Sequence, residues 1–342
     1  MTTRSAAARG PQVVGAPWAR VIVVNYNGGA LIQACADALA GQTMTDFEAV
    51  IVDNASTDGS ADSLTLPDPR FVLIRNDSNV GFAAANNVGA HNCWCDWIAT
   101  LNPDTIALSD WLLEMRRGTE RHPDTAMFGT TLVSATEPSI ADGFGDVLSI
   151  TGMAWRGGQG RPVADLPNHD CEVLAPCAAA ALYRRSAFEA AGGFDGRFFC
   201  YLEDVDLGLR MRLLGGRCIQ LRRATVCHRG SAITGLLSPF TTYHSFRNRL
   251  FLIFKNLPTA LLVLAIPLNL AVSLYVVLRQ DEKDFSRSAL RGLWHGVKGL
   301  KSMLRPRSHV QSTRCLSLMD VARLLSWHPR DLRNAPVRTW PL

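Results

Sequence analysis

Four short apolar runs, each ending in a cluster of Asn, Asp and Gly, constrain this fold more than any other feature. Val21-Ile22-Val23-Val24 gives way to Asn25-Tyr26-Asn27-Gly28-Gly29. Phe47-Glu48-Ala49-Val50-Ile51-Val52 ends at Asp53-Asn54-Ala55-Ser56-Thr57-Asp58-Gly59-Ser60. Phe71-Val72-Leu73-Ile74 precedes Asn76-Asp77-Ser78-Asn79-Val80-Gly81, and Trp97-Ile98-Ala99-Thr100-Leu101 runs into Asn102-Pro103-Asp104-Thr105. Runs of four to six apolar residues bounded by turn formers read as buried strands. The stretches Leu31 to Leu39 and Ala83 to Ala90 between them carry helical patterns. Strands alternating with helices predict an α/β domain whose mostly parallel sheet is covered on both faces. In such sheets ligands bind beyond the carboxyl ends of the strands, and all four polar clusters fall there.

A second feature points to chemistry. Phe198-Phe199-Cys200-Tyr201-Leu202 leads into Glu203-Asp204-Val205-Asp206, followed by Leu207, Leu209, Arg210 and Leu213. Three carboxylates in four positions between apolar residues place the acids where a buried segment surfaces into a cleft. A helix from Glu203 to Leu214 would hold them in its first turn, where its dipole favours anions. Asp206 and Arg210, spaced i, i+4, can pair, which leaves Asp204 the freer carboxylate. An acidic helix start that serves stability alone is the structural alternative.

The net charge of +5 comes with no long Lys/Arg block, so a nucleic-acid stripe is not expected. The nine cysteines are scattered and match no zinc spacing, as buried thiols in a reducing compartment would. Residues 1–18 lack an apolar signal-peptide core and are expected to be a disordered extension. Residues 134–172, rich in Gly, Pro and Asp, read as loops beside the acceptor side of the cleft. Residues 257–278 are almost wholly apolar, close to the roughly 20 residues that span a bilayer, with Pro267 and Asn269 interrupting them. A span, an in-plane helix and a buried helix remain open. Beyond it, Leu290, Leu293, Trp294, Val297, Leu300 and Leu304 form an apolar helical stripe flanked by Arg291, Lys298 and Arg305. That pattern suits a membrane surface. The expected organisation is a catalytic domain over 19–256, a membrane-associating helical segment over 257–308 and a tail over 309–342.

The ordered pieces Val23-Val24-Asn25-Tyr26-Asn27, Val52 to Ser60, Asn79 to Asn87, Leu101 to Thr105, Gly193 to Arg210, His228-Arg229-Gly230-Ser231 and Arg247-Asn248-Arg249 carry a family resemblance. Over roughly residues 19 to 256 the chain resembles glycosyltransferase family 2, of GT-A fold, and within it the bacterial rhamnosyltransferase branch. The resemblance implies an inverting enzyme that moves a sugar, best L-rhamnose from dTDP-L-rhamnose, to a lipid-linked or cell-envelope polysaccharide acceptor. It would work at the cytoplasmic face of the cell membrane, held peripherally or by one segment. A hexosyltransferase using a UDP- or GDP-sugar is the alternative; a catalytically inactive nucleotide-sugar-binding protein and a dinucleotide-binding oxidoreductase are more distant ones. The last would need Gly-x-Gly-x-x-Gly after the first strand, where Asn-Tyr-Asn-Gly-Gly stands.

The resemblance also assigns residues. Asp53, with Tyr26 beside it, would contact the nucleobase or ribose, and Asn25, Asn79 and Gly81 would complete the donor site. Asp104 would coordinate Mg²⁺ or Mn²⁺ where the family carries a DXD motif. Asn102 replaces that motif's first carboxylate and offers a neutral oxygen or a hydrogen bond. His228 would reach the diphosphate or the metal, and Arg247 the diphosphate or an anionic lipid. Asp204 would be the general base, with Glu203 as its fallback or as an orienting group.

Overall fold

A computed structural model describes residues 15–230 and 238–342. Residues 1–14 of the expected extension, and Ser231 of the His-Arg-Gly-Ser piece, lie outside the described residues. The first half alternates as expected: β1 (Ala19–Asn25), α1 (Leu31–Ala40), β2 (Phe47–Asp53), α2 (Ser60–Ser63), β3 (Phe71–Arg75), α3 (Phe82–Ala90), β4 (Trp97–Leu101), β5 (Thr105–Ala107) and α4 (Trp111–Arg121). There follow β6 (Met127–Ser134), β7 (Ala141–Gly143), β8 (Asp146–Leu148), β9 (Ala154–Arg156), β10 (Cys171–Glu172), β11 (Ala180–Arg184), α5 (Arg185–Ala190), α6 (Glu203–Leu213) and β12 (Cys218–His228). The chain closes with α7 (Pro239–Asn256), α8 (Thr259–Arg279), α9 (Lys283–Thr313), α10 (Leu318–Leu324) and α11 (Asp331–Asn334).

Ten strands form one mixed sheet with the path β10-β12-β6-β11-β4-β1-β2-β3; β5 pairs with β12 and β7 with β6. β3, β2, β1 and β4 run parallel, β11 runs against both β4 and β6, and β12 pairs parallel with β6. β1, β2 and β4 are buried on both faces, which is why they read as continuous apolar runs rather than alternating ones. Cys35, Ala36 and Leu39 of α1 pack with Trp111 and Met115 of α4 on one face. Helices α3, α5 and α6 cover the other. The small residues of α3 have a local cause: a Cβ on Gly89 would sit 2.5 Å from Ile22 Cγ2 of β1. All nine cysteines are free thiols, five of them buried.

Three sequence expectations change. Residues 134–172 are not merely loops, because three-residue strands β7, β8 and β9 run through them. Strands that short show no readable periodicity, yet Phe144, Val147 and Leu148 are buried. Trp18 belongs to the domain rather than to a loose extension: its N–H donates to the Asp46 carbonyl and its ring lies 6.3 Å from that of Trp97. The C-terminal boundaries also shift. α9 runs unbroken to Thr313, and the chain beyond it returns to the catalytic domain through Cys315 N–H to Leu213 O, Ser326 N–H to Leu148 O and Trp340 N–H to Glu172 O.

Candidate active site

The carboxyl ends of β1, β2, β4 and β12 converge with the start of α6 on a cleft of about 1210 Å³. Its two ends are built differently.

At the β1–β3 end, polar side chains knit the loops together. Asn25 Nδ2 donates to Asp53 Oδ1 at 3.0 Å and to the hydroxyls of Ser56 and Ser60 at 3.1 and 3.0 Å. Asn54 Nδ2 donates to Asn79 Oδ1 at 2.8 Å, while Asn54 Oδ1 accepts from Asn76 Nδ2 and from the Val80 N–H. Asn25 and Asp53 therefore lie beneath the cleft floor. The lining here is Tyr26, Asn27, Asn54, Asp58, Asn79 and Gly81. Gly81 has φ 84°, and a Cβ on it would meet the Phe199 ring and carbonyl at 2.6 Å. Only glycine allows both that backbone and that approach.

At the other end the side chains are charged. Asp104 Oδ1 lies 3.3 Å from His228 Nε2, and His228 Nδ1 donates to Asp142 Oδ2 at 2.6 Å. That bond orients the ring so that Nε2 faces Asp104. Arg156, on β9, also binds Asp142. Burial works against a charged His228; the carboxylates of Asp104 and Asp142 outweigh it and raise the imidazole above its ordinary value. His228 Nε2 and Asn102 Oδ1 are both buried without a hydrogen bond. One carboxylate oxygen, one imidazole nitrogen and one amide oxygen form a donor set that fits a divalent cation.

Asp204 stands at the start of α6, after a strained approach. Phe199, Tyr201 and Leu202 have φ of 66°, 72° and 66°, in the left-handed region that non-glycine residues rarely occupy. The approach is clamped from α7. Asn248 Nδ2 lies 2.7–2.9 Å from the carbonyl oxygens of Phe198, Cys200 and Tyr201. Gly208 lets α6 come close to the 175–178 segment, since a Cβ there would stand 2.3 Å from that of Ala175. The approach brings the Ala178 N–H to Asp204 Oδ2 at 3.1 Å, and the Val205 N–H reaches Oδ1 at 2.8 Å.

Burial raises the Asp204 carboxyl, restrained by those backbone donors. Glu203 and Asp146 are pushed well above the carboxylate range by burial and by Asp204 itself. A carboxylate oxygen of Asp146, one of Asp204 and Cys177 Sγ all lie within 4.8 Å of one another. Of these three carboxyls, Asp204 is the one whose two oxygens accept from the Ala178 and Val205 N–H groups, which favours its ionised form, and it is placed to take a proton from a group bound in the cleft.

Residues 20–192 match the family described as "Glycosyl transferase family 2". The chain belongs to glycosyl transferase family 2. It is 26% identical over 323 residues to the N-acetylglucosaminyl-diphospho-decaprenol L-rhamnosyltransferase of Mycobacterium tuberculosis, covering 86% of this chain and 94% of that one. It is 30% identical over 231 residues to the O-antigen biosynthesis protein RfbC of Myxococcus xanthus, where the match takes in 64% of this chain but only 18% of that longer protein. Among solved structures it resembles the mannosyltransferase PcManGT of Pyrobaculum calidifontis, determined with GDP-Man and Mn²⁺, with a TM-score of 0.52 over 95% of this chain and 90% of that one, at 16% identity. The fold is GT-A, and the chain is a glycosyltransferase.

In this glycosyltransferase Tyr26, Asn79, Gly81, Asn102, Asp104, Glu203, Asp204 and His228 all line the one cleft. Arg247 does not. Its guanidinium donates to the carbonyls of Arg197 and Phe198 and lies over the Phe251 ring, so it braces the approach to Asp204 instead of reaching a donor. Arg249 is buried over the Phe246 ring at 3.9 Å. Asp206 is tied to Arg210 at 2.8 Å, as its i, i+4 spacing predicts, and also to Lys255 and Asn256. Asp142, Asp146 and Arg156 escape a sequence reading. Their only signal is two acids four apart with a lone arginine in a glycine-rich, otherwise uncharged stretch.

Proposed function

We propose that this glycosyltransferase transfers L-rhamnose from dTDP-L-rhamnose, with inversion, to a lipid-linked or cell-envelope polysaccharide acceptor at the cytoplasmic face of the bacterial membrane. The observation that carries the reaction type is the placement of a backbone-held carboxylate, Asp204, in the same cleft as the Asp104–His228 pair. The sugar and the acceptor class rest on the end-to-end match to the decaprenol rhamnosyltransferase.

Asp204 accepts the proton of the attacking acceptor hydroxyl. The freed electron pair forms the new bond at the anomeric carbon, and the bond to the diphosphate breaks with its electrons leaving on the phosphate oxygen. One base and one displacement invert the centre. Asp104 and His228, with the Asn102 amide oxygen, would hold Mg²⁺ or Mn²⁺, and a bound divalent cation would neutralise charge on the leaving diphosphate. Asp142 holds the His228 ring by Nδ1 and so turns Nε2 toward Asp104. Tyr26 and Asn79 border the nucleoside end, while Asn25 and Asp53 keep that wall in shape.

The test is a donor panel of dTDP-L-rhamnose, UDP-hexoses and GDP-mannose, read as nucleotide diphosphate released in the presence of a bacterial lipid extract. Release dependent on dTDP-L-rhamnose and the extract is the expected result. Release from UDP- or GDP-sugars alone would move the assignment to another hexosyltransferase. Binding without release from any donor would make the protein an inactive nucleotide-sugar binder.

A further inference from the structure

Helices α8 and α9 bury apolar residues against the protein, as helices on a soluble core do, yet they also line their outer faces with large apolar side chains. α9 directs its glycines at the protein: a Cβ on Gly292 would lie 2.5 Å from the Tyr243 carbonyl oxygen, one on Gly296 2.8 Å from Leu250, and one on Gly299 2.5 Å from the Phe251 ring. Its large apolar residues Leu290, Trp294, Val297 and Leu304 face outward, each more than half exposed. α8 does the same. Its inner face includes Asn269, whose amide donates to the Thr151 carbonyl at 2.7 Å, and the fully buried Ser273. Its outer face carries Val263, Leu264, Leu270, Leu274, Tyr275 and Leu278, with Val263 71% and Leu278 75% exposed. The two helices adjoin where Val277 of α8 and Phe285 and Ala289 of α9 cluster with Phe246 of α7. Scattered exposed apolar residues need no explanation, but two adjoining helices whose outer faces are lined with leucine, valine, tyrosine and tryptophan while glycine, asparagine and serine stand among the buried residues do.

The charge beside this surface selects its occupant. Beyond the exposed acids of the α8–α9 turn, Asp281, Glu282 and Asp284, the chain has no acidic residue before Asp320 and carries seven Arg or Lys residues. Arg291, Lys298, Lys301 and Arg305 are exposed along α9, and Lys298 lies 4.5 Å over the Trp294 ring. An apolar face with an indole and a one-signed basic flank complements an anionic bilayer surface.

We infer that α8 and α9 form an in-plane membrane dock: α8 does not cross the bilayer but lies between enzyme and lipid, its polar face on the catalytic domain and its apolar face in the membrane of anionic lipids. Crossing would detach Asn269 and Ser273 from the protein and present them to hydrocarbon, and would uncover Leu261, Leu262 and Ala265 from the core they join. The biological purpose rests on the lipid-linked acceptor reading; the geometry rests on the helices alone. α7, against which α9 packs, contributes Ser238, Pro239 and Phe240 to the cleft wall, so the dock sets where the cleft stands relative to the lipid.

The test uses the full-length protein and vesicles of phosphatidylcholine with and without phosphatidylglycerol. Sedimentation with the phosphatidylglycerol vesicles, weakened by salt and released by alkaline wash, is expected. The variant Trp294→Ser/Leu304→Gln should bind about tenfold more weakly or less, with an unchanged melting temperature because both side chains are exposed. Lys298→Glu/Arg305→Glu should lose the preference for phosphatidylglycerol. Asn269→Leu should lower the melting temperature without increasing resistance to alkaline wash. Wild-type protein that resists the wash would show a span, and overturn the in-plane dock. So would a protein that ignores both vesicles and dimerises through this face. Nucleotide diphosphate release, measured in detergent on the same variants, separates the two readings. Vesicle binding without release from any donor sinks the transferase assignment only, and release without vesicle binding sinks the dock only.

Discussion

The two ends of the cleft solve different problems with different chemistry. At the β1–β3 end neutral amides dominate: Asn25, Asn54 and Asn79 bond to one another's loops and to Asp53. At the other end five acids, Asp104, Asp142, Asp146, Glu203 and Asp204, crowd together with a histidine and an arginine. Amides hold shape at any pH, because they cannot titrate. Carboxyls forced together in a buried site cannot all ionise, so their surroundings decide which one does. The first end is suited to fixing a nucleoside, the second to moving a proton and receiving a departing charge.

The contrast breaks most sharply at Asp204. Asp204→Asn keeps the shape and removes the base; turnover should fall roughly 10²–10⁴-fold with donor affinity nearly unchanged. Single-turnover kinetics with donor titration measures both, and retained turnover together with loss in Glu203→Gln would transfer the role to Glu203. Metal removal comes next. Treatment with EDTA should cost several kcal/mol of transition-state stabilisation, roughly 10²-fold or more, recovered by Mg²⁺ or Mn²⁺ and not recovered in Asp104→Ala. Full activity in EDTA would leave the histidine and arginine to carry the leaving-group charge.

Two smaller effects sharpen the comparison. Asn54→Ala removes bonds to Asn76, Asn79 and Val80 and should cost about 1–3 kcal/mol of stability in urea melts, with donor KM raised a few-fold and acceptor turnover little changed. A larger drop in turnover than in donor binding would mean that the two ends do not work separately. The pH profile should show the weakest effect. Burial raises Asp204, and the base must be ionised to act. Activity should therefore fall on the acid side through a midpoint above the ordinary aspartate value of about 3.9. Asn54→Ala should leave that midpoint in place.

The amide end was the more legible in sequence, because each of its loops follows a strand whose apolar run marks where the chain turns. Asp204 and Asp206 were legible for a similar reason: helical spacing tells which acid pairs with Arg210. Asp142, Asp146 and Arg156 were not, because they ride on strands of three residues whose alternation is too short to detect. Arg247 was misread because a cation near the end of a domain suits a diphosphate as well as it suits a row of carbonyl oxygens. Only the fold decides between them. The apolar segment at 257–278 announced its length and not its orientation. Asn269 settles on the protein side only once Thr151 is opposite it.

The clamp on the approach to Asp204 has a consequence for biosynthesis. Three consecutive-turn residues in left-handed conformations, each costing on the order of 1–2 kcal/mol, are held by an asparagine that follows them by more than forty positions. A chain emerging from the ribosome exposes its complete nucleoside wall and its β4 loop well before Asn248 leaves the exit tunnel. Until then the 198–202 segment lacks the side chain that holds its three carbonyl oxygens. The order of the 198–202 segment thus arrives late in synthesis, with the same helix that α9 packs against.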